Sequence, residues 1–187
     1  MSDQEYFTVH HAMTVNIEPL AAEESLPSLE AFETEIPMPF KVASEFSLFE
    51  QENSLQPLDT QNKDISKIVT LLEQQNAKLN LLLSYLLSQQ DDTHHRYTSI
   101  SFGASQLTFY SEQPFAIDAL ARVKLFLEHP AAAVYCYASV AQCTAQDAGY
   151  HVTVHYERLR DLDQDLLIRA SLYQQQQLLR QRTLTRQ

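Results

Sequence analysis

Between residues 62 and 90 a mostly apolar set of side chains recurs at alternating steps of three and four: Ile65, Ile68, Leu72, Gln75, Leu79, Leu82, Leu86 and Gln89. A 3.5-residue period keeps one stripe of a helix turned toward a neighbouring helix, and few other structures satisfy it. At 1.5 Å per residue the segment is about 40 Å long, more than one side of a small domain can cover. The spacing therefore predicts a long self-associating helix with Ile65, Ile68, Leu72, Gln75, Leu79, Leu82 and Leu86 at the interface. Asp64 near its start suits the positive end of the helix dipole. Val69 and Leu83 flank the seam on one side, Leu71 and Tyr85 on the other. A two-stranded coil normally carries charges there. The wide stripe instead predicts a homo-oligomer, a tetramer ahead of a dimer, or a helix that also touches its own domain. Gln75, polar within the seam, is expected to fix register at some cost in stability.

After Asp91-Asp92-Thr93 the period changes to two, the signature of half-buried strands. Strands are predicted at 97–101, 106–110, 120–127, 132–140 and 150–156, with breaks at Gly103, Pro114, Pro130 and Asp147-Ala148-Gly149. Five short strands without intervening helices read as a small antiparallel barrel or sandwich. Residues 6–18 alternate in the same way and offer a sixth strand. Phe7, Val9, His11, Met13, Val15 and Ile17 share one face of it, so His11 is expected to be a hydrogen-bonded core histidine. From 19 to 60, Pro19, Pro27, Pro37, Pro39 and Pro57 predict only short helical turns and extended connections, pinned to the rest by Phe32, Phe40, Phe46 and Phe49. A final helix is predicted from near Asp163, with Asp161, Asp163 and Asp165 at its positive end. The fold class is α+β, organised as an acidic segment 1–61, a coiled-coil-like helix 62–90, and a barrel with its closing helix at 95–187.

Charge and composition narrow the function. Residues 1–64 carry 13 acids against two lysines, and the first arginine is Arg96. Phosphate neutralisation needs Lys and Arg, so a nucleic-acid polymer is not an expected partner. Arg169, Arg180, Arg182 and Arg186 near the C-terminus are expected to complement the helix dipole and pair with the acidic segment. With only Gly103 and Gly149, no glycine-rich loop can cradle a phosphate. The acidic start and the lack of an 18-residue apolar run predict neither secretion nor membrane insertion, so a cytoplasmic location is expected. Cys136 and Cys143 read as reduced, buried thiols.

The order of elements over about residues 95–180 resembles the PilZ family: a β-barrel, a motif turn between its first two strands, and a helix closing the C-terminus. The most specific segment is Ser99-Ile-Ser-Phe-Gly-Ala-Ser-Gln-Leu-Thr-Phe109. The family pattern there is Asp/Asn-x-Ser-x-x-Gly-x-x-Phe. Aligned on Phe109, Ser101 takes the acidic place, Gly103 the serine place and Gln106 the glycine place. Aligned on Ser99 and Ser101, the serine matches, while Ala104 and Leu107 replace glycine and phenylalanine. The family's second motif, Arg-x-x-x-Arg ahead of the barrel, is missing; Arg182 and Arg186 have its spacing at the opposite end and are read as coincidence. A guanidinium grips a phosphate bidentately and stacks on a base, which no residue upstream of Arg96 can do.

PilZ domains are bacterial sensors of cyclic di-GMP. The resemblance therefore implies a signalling or adaptor module of that pathway, acting on a protein partner of unknown identity, with nucleotide binding lost. The alternative it leaves is a direct receptor using Arg96, Arg122, Arg158 and Arg160. No cofactor is expected beyond that nucleotide as a ligand.

No catalytic or metal site is expected. His151 and His155 lie in a strand-like run, where four residues separate them by about 13 Å, too far for one metal. Asp161, Asp163 and Asp165 imitate the opening of a calcium loop, but Leu166 stands where glycine is needed and Leu172 where the bidentate glutamate belongs. Nothing groups a nucleophile, a base and an oxyanion site, so a non-enzymatic protein is expected.

Overall fold

Strand alternation is clearest at Leu120–Leu127, where every second residue is buried, and the rest of the sheet is built from it outward. The computed structural model describes residues 7–53, 63–128, 131–146 and 148–184. Pro57, Pro130, Asp147, Arg186, the Phe49 side chain and the first residues of the expected 6–18 strand and 62–90 helix lie outside the described residues. The strands are β1 (Thr8–His10), β2 (Thr14–Pro19), β3 (Arg96–Gly103), β4 (Gln106–Ser111), β5 (Leu120–Leu127), β6 (Ala132–Gln146) and β7 (Gly149–Arg158). The helices are α1 (Leu29–Glu35), α2 (Met38–Asn53), α3 (Lys63–Ser88) and α4 (Asp161–Leu184).

All pairings are antiparallel and close a ring in the order β3, β2, β5, β6, β7, β4 and back to β3. Strand β1 lies along the same edge of β3 as β2, with Val9 opposite Phe102 and Val15 opposite Tyr97. The two are pieces of the expected 6–18 strand, and together they supply the sixth stave. Residues 95–187 therefore do not close the barrel alone. Ser99 fills the break between the pieces: its Oγ donates to the His11 carbonyl at 2.6 Å and accepts from the Met13 N–H at 3.0 Å. His11 itself is half-buried, its ring edge-on to Phe102, rather than set in the core.

The barrel interior holds Val15, Ile17, Leu107, Phe109, Val123, Leu125, Val152 and Val154. Strand β6 departs from alternation: all residues from Ala132 to Ala138 are buried. A strand covered on both faces loses its polar positions. Here α1 and α2 provide the cover, with Phe32 and Phe40 against Tyr135 and Tyr137.

The 19–60 region is more helical than its prolines suggested. Helix α1 starts at the Ser28 cap, whose Oγ accepts from the Ala31 N–H at 3.2 Å, and ends before Pro37. Helix α2 runs for 16 residues. Pro39 sits in its first turn, where the missing N–H has no helical partner to lose. Helix α3 contains neither Gly nor Pro and is 26 residues long. Helix α4 begins at Asp161, two residues earlier than expected.

Candidate functional site

Helix α3 presents a buried face and an exposed one. Leu83 and Leu87 are only 5% and 4% exposed, seated where α3 meets α2 and β6. The heptad residues face elsewhere: Ile65, Ile68, Leu72, Leu79, Leu82 and Leu86 are all exposed, Leu72 to 59% and Leu82 to 62%. Leu71 and Tyr85, beside the seam, are exposed as well. Leu83, a flank of the sequence pattern, thus belongs to the domain contact, and the seam proper is left open along the helix.

A polar clamp fixes the C-terminal end of α3. Buried Asn16 on β2 donates to Asp91 at 2.8 Å and to the Asp92 carbonyl at 3.2 Å, and accepts from the Asp92 N–H at 2.8 Å. Arg96 pairs with Asp91 at 2.6 Å, and Lys124 donates to the Gln90 carbonyl at 3.1 Å. Burial alone would raise the Asp91 carboxyl, but the hydrogen bonds from Arg96 and Asn16 outweigh it and hold the group below its ordinary 3.8. A lowered carboxylate stabilises the fold above its unfolded value, and that contribution disappears as pH falls through the folded one. Asp91→Asn is expected to cost about 1–2 kcal/mol at pH 7 and less at pH 3, below the ordinary 3.8, where the contribution has begun to fade. Urea unfolding at the two pH values measures this; an equal deficit at both would mean the carboxylate charge is not the source.

The degenerate motif is absorbed into the barrel. Ser99 bridges the split strand, and Ser101 is buried opposite His10. Gly103 lies opposite Thr8, where a Cβ would overlap the Phe7 carbonyl oxygen; glycine is there so that β1 can approach. Gln106 contacts the His155 ring at 3.2 Å, and its carbonyl accepts from the Tyr156 hydroxyl. Phe109 is fully buried against Tyr97 and Phe115.

Each of the four arginines has a partner of its own. Arg96 holds Asp91. Arg122 holds Glu18 at 2.8 Å and stacks over Tyr137, 5.7 Å from the ring centre. Against the burial that would lower it, hydrogen bonds to Tyr137 and Glu18 raise the Arg122 pKa. Arg158 reaches the Pro27 and Glu157 carbonyls. Arg160 binds both oxygens of Asp163, at 2.8 and 2.9 Å, and the Ser44 hydroxyl at 3.0 Å. Glu18, Arg122, Tyr137 and Arg158 form one row across β2, β5, β6 and β7. Glu35 of α1 accepts from the Tyr137 hydroxyl of this row at 2.5 Å. Sequence reading missed this row, because its register is set by pairings between distant strands. Of the C-terminal arginines, Arg169 donates to the Asp165 carbonyl and to the Ser47 carbonyl of α2, and Arg182 lies in the last turn of α4.

Burial pushes the Cys136 thiol up, which keeps it protonated and unreactive; Cys143 is half-buried rather than buried. His151 and His155 both lie on β7. Among the described residues no three His, Cys, Asp or Glu side chains are grouped to hold a metal. No described helix is long and apolar enough to cross a membrane.

No family model matches the sequence, and no curated protein aligns with it significantly. Solved structures do resemble it. One is a pathogenic protein from Xanthomonas campestris, a tetrameric PilZ domain self-assembled through a helical bundle. It matches with a TM-score of 0.58 and 16% identity, over 94% of this chain and 92% of that one. Another is the Bacillus subtilis inhibitor of motility, with a TM-score of 0.50 and 11% identity over 95% of this chain; the match spans 53% of that protein, about half its length. At such low identity the likeness is one of architecture: the chain has the fold of a PilZ domain.

Proposed function

We propose that the protein is a non-enzymatic PilZ-like adaptor of a bacterial cyclic di-GMP pathway. Helix α3 gathers several copies, the barrels are presented to a protein partner, and direct nucleotide binding has been lost. The exposed seam carries this reading. A row of leucines and isoleucines along a helix already seated on its barrel by Leu83 and Leu87 is an unsatisfied apolar stripe, and its heptad spacing suits other helices. The helical-bundle tetramer of the Xanthomonas campestris protein supports a tetramer. The arginines, which are engaged by Asp91, Glu18, Pro27 and Asp163, support a loss of binding, as does a motif turned to structural use.

A hydrogen bond to a charged group contributes roughly 1.5–3 kcal/mol, so losing two arginine anchors removes about 3–6 kcal/mol. That is a weakening on the order of a hundred-fold to ten-thousand-fold. Isothermal titration with cyclic di-GMP up to about a hundred micromolar is expected to show no saturable heat. Saturable low-micromolar binding would sink the adaptor reading in favour of a direct receptor. The specific observation for that second reading is a cleft of about 420 Å³ lined by His94, Arg96, Tyr97 and Tyr110, which makes Arg96 the first residue to replace.

A further inference from the structure

Helix α1 is fastened to the barrel by few groups. Across residues 21–35 only Phe32 is buried, and Leu29 is 69% exposed. Phe32 sits against Tyr135 and Tyr137 of β6, with ring centres 6.2 and 6.0 Å away. Glu35 accepts from the Tyr137 hydroxyl, and the Pro27 carbonyl accepts from Arg158 at 3.4 Å. The barrel surface at this contact has a distinct composition. Tyr135 pairs in register with Lys124, and Tyr137 with Arg122 and Arg158. Tyrosines and cations therefore stand side by side on the outer face of β5, β6 and β7, with Arg122 over the Tyr137 ring.

We infer that this face is the docking surface for the protein partner, and that α1 is its resident, displaceable occupant. The partner segment that fits is an acidic helix carrying an aromatic side chain and, three residues on, a carboxylate. Phe32 and Glu35 of α1 have that arrangement. The inference rests on the adaptor reading, for which it names the chemistry of the partner. Tyrosine and arginine packed together supply most of the binding energy at protein interfaces. The charges are complementary as well. Arg122, Lys124 and Arg158 line the barrel side, whereas α1 bears Glu30, Glu33 and Glu35 and no basic residue. Such complementarity steers an acidic helix onto the face and orients it there.

The connections on both sides let α1 leave. Residues 20–28 ahead of it belong to no helix or strand. Behind it, Ile36 and Pro37 lead into α2, which is anchored separately by Phe40 and by the bond from Ser44 to Asp163. No barrel strand has to move with α1. A segment held by one buried side chain and a few polar contacts opens well below the free energy of global unfolding. While closed, it competes with the partner at an effective concentration on the order of millimolar. A latch closed about nine-tenths of the time weakens the partner's apparent affinity about tenfold.

A designed peptide tests it on the full chain. The probe is a capped alanine–glutamate helix of about fifteen residues, unrelated to α1 except for one Phe and a Glu three residues later. Fluorescence anisotropy is expected to show saturable binding to the unaltered chain and about tenfold tighter binding to Phe32→Ala. Replacing the peptide's Phe with Ala is expected to abolish binding to both. Saturating peptide is also expected to speed amide hydrogen exchange over residues 32–36 of the unaltered chain, with α2 unchanged. No binding to a Phe32→Ala chain that still melts cooperatively overturns the docking surface. If that variant does not fold, the unaltered chain decides: exchange over 32–36 that the peptide leaves unchanged overturns it. Neither failure touches the adaptor reading, which falls on saturable binding of cyclic di-GMP.

Discussion

Leu79→Asp/Leu82→Asp is expected to reduce the protein to single 21.4-kDa chains that still melt as a folded barrel. In the isolated chain both leucines already face water, Leu79 at 37% and Leu82 at 62% exposure, so aspartates there are solvated and harmless. Within a helical bundle each would be an unpaired buried carboxylate costing several kcal/mol. Two per chain exceed the roughly 8 kcal/mol that holds a micromolar complex together. The control lies one residue away. Leu83→Asp puts a charge into the contact between α3 and its own domain, and should lower the melting temperature. Light scattering combined with thermal denaturation reads both effects. A double variant that keeps the parent mass would place the interface elsewhere.

Asp163→Ala is the second large effect, and it acts on stability rather than assembly. Asp163 is fully buried and takes hydrogen bonds from Arg160 and from Ser44 at 2.7 Å, joining α4 to α2. Burial pushes its carboxyl above the ordinary range, although Arg160 and Ser44 pull the other way. Removing one member of a buried ion pair leaves the other charge uncompensated, at a cost of about 3–5 kcal/mol. At this chain length that is on the order of 10 °C in Tm. The double variant Arg160→Met/Asp163→Leu is expected to recover most of the loss, because an apolar pair of similar volume needs no compensation. Calorimetry on the three proteins decides it: a single variant as stable as the parent would show that the pair contributes little.

These sites differ in how far the sequence disclosed them. The seam was legible because heptad spacing is a property of one segment, and so was the alternation of β5. What α3 touches was not legible: Leu83 and Leu82 are adjacent and equally apolar, and only the placement of the barrel separates them. The expected end of β6 at residue 140 followed the end of apolar residues. The strand continues to Gln146 because its ladder with β7 runs on where the side chains are exposed, and backbone hydrogen bonding does not require burial. Helix α2 was obscured by Pro37 and Pro39, although a proline in a first turn is compatible with a helix. The Asn16 clamp joins residues 75 apart and the Ser44–Asp163 bond residues 119 apart. No local pattern announces such contacts, and Arg122 with Glu18 and Arg158 with the Pro27 carbonyl are of the same long-range kind, whereas Arg96–Asp91 and Arg160–Asp163 are close in sequence.

The split first stave also sets the order in which the molecule can be made. Ser99 and Met13 meet across 86 residues, and Arg122 and Glu18 across 104, so β1 and β2 emerge from the ribosome long before any strand they pair with. Closing such loops is slow relative to forming helix hydrogen bonds, which are local. Helices α1, α2 and α3 are all synthesised in that interval, between β2 and β3. Helix α3, whose apolar seam is exposed, is therefore complete while its own barrel is still open.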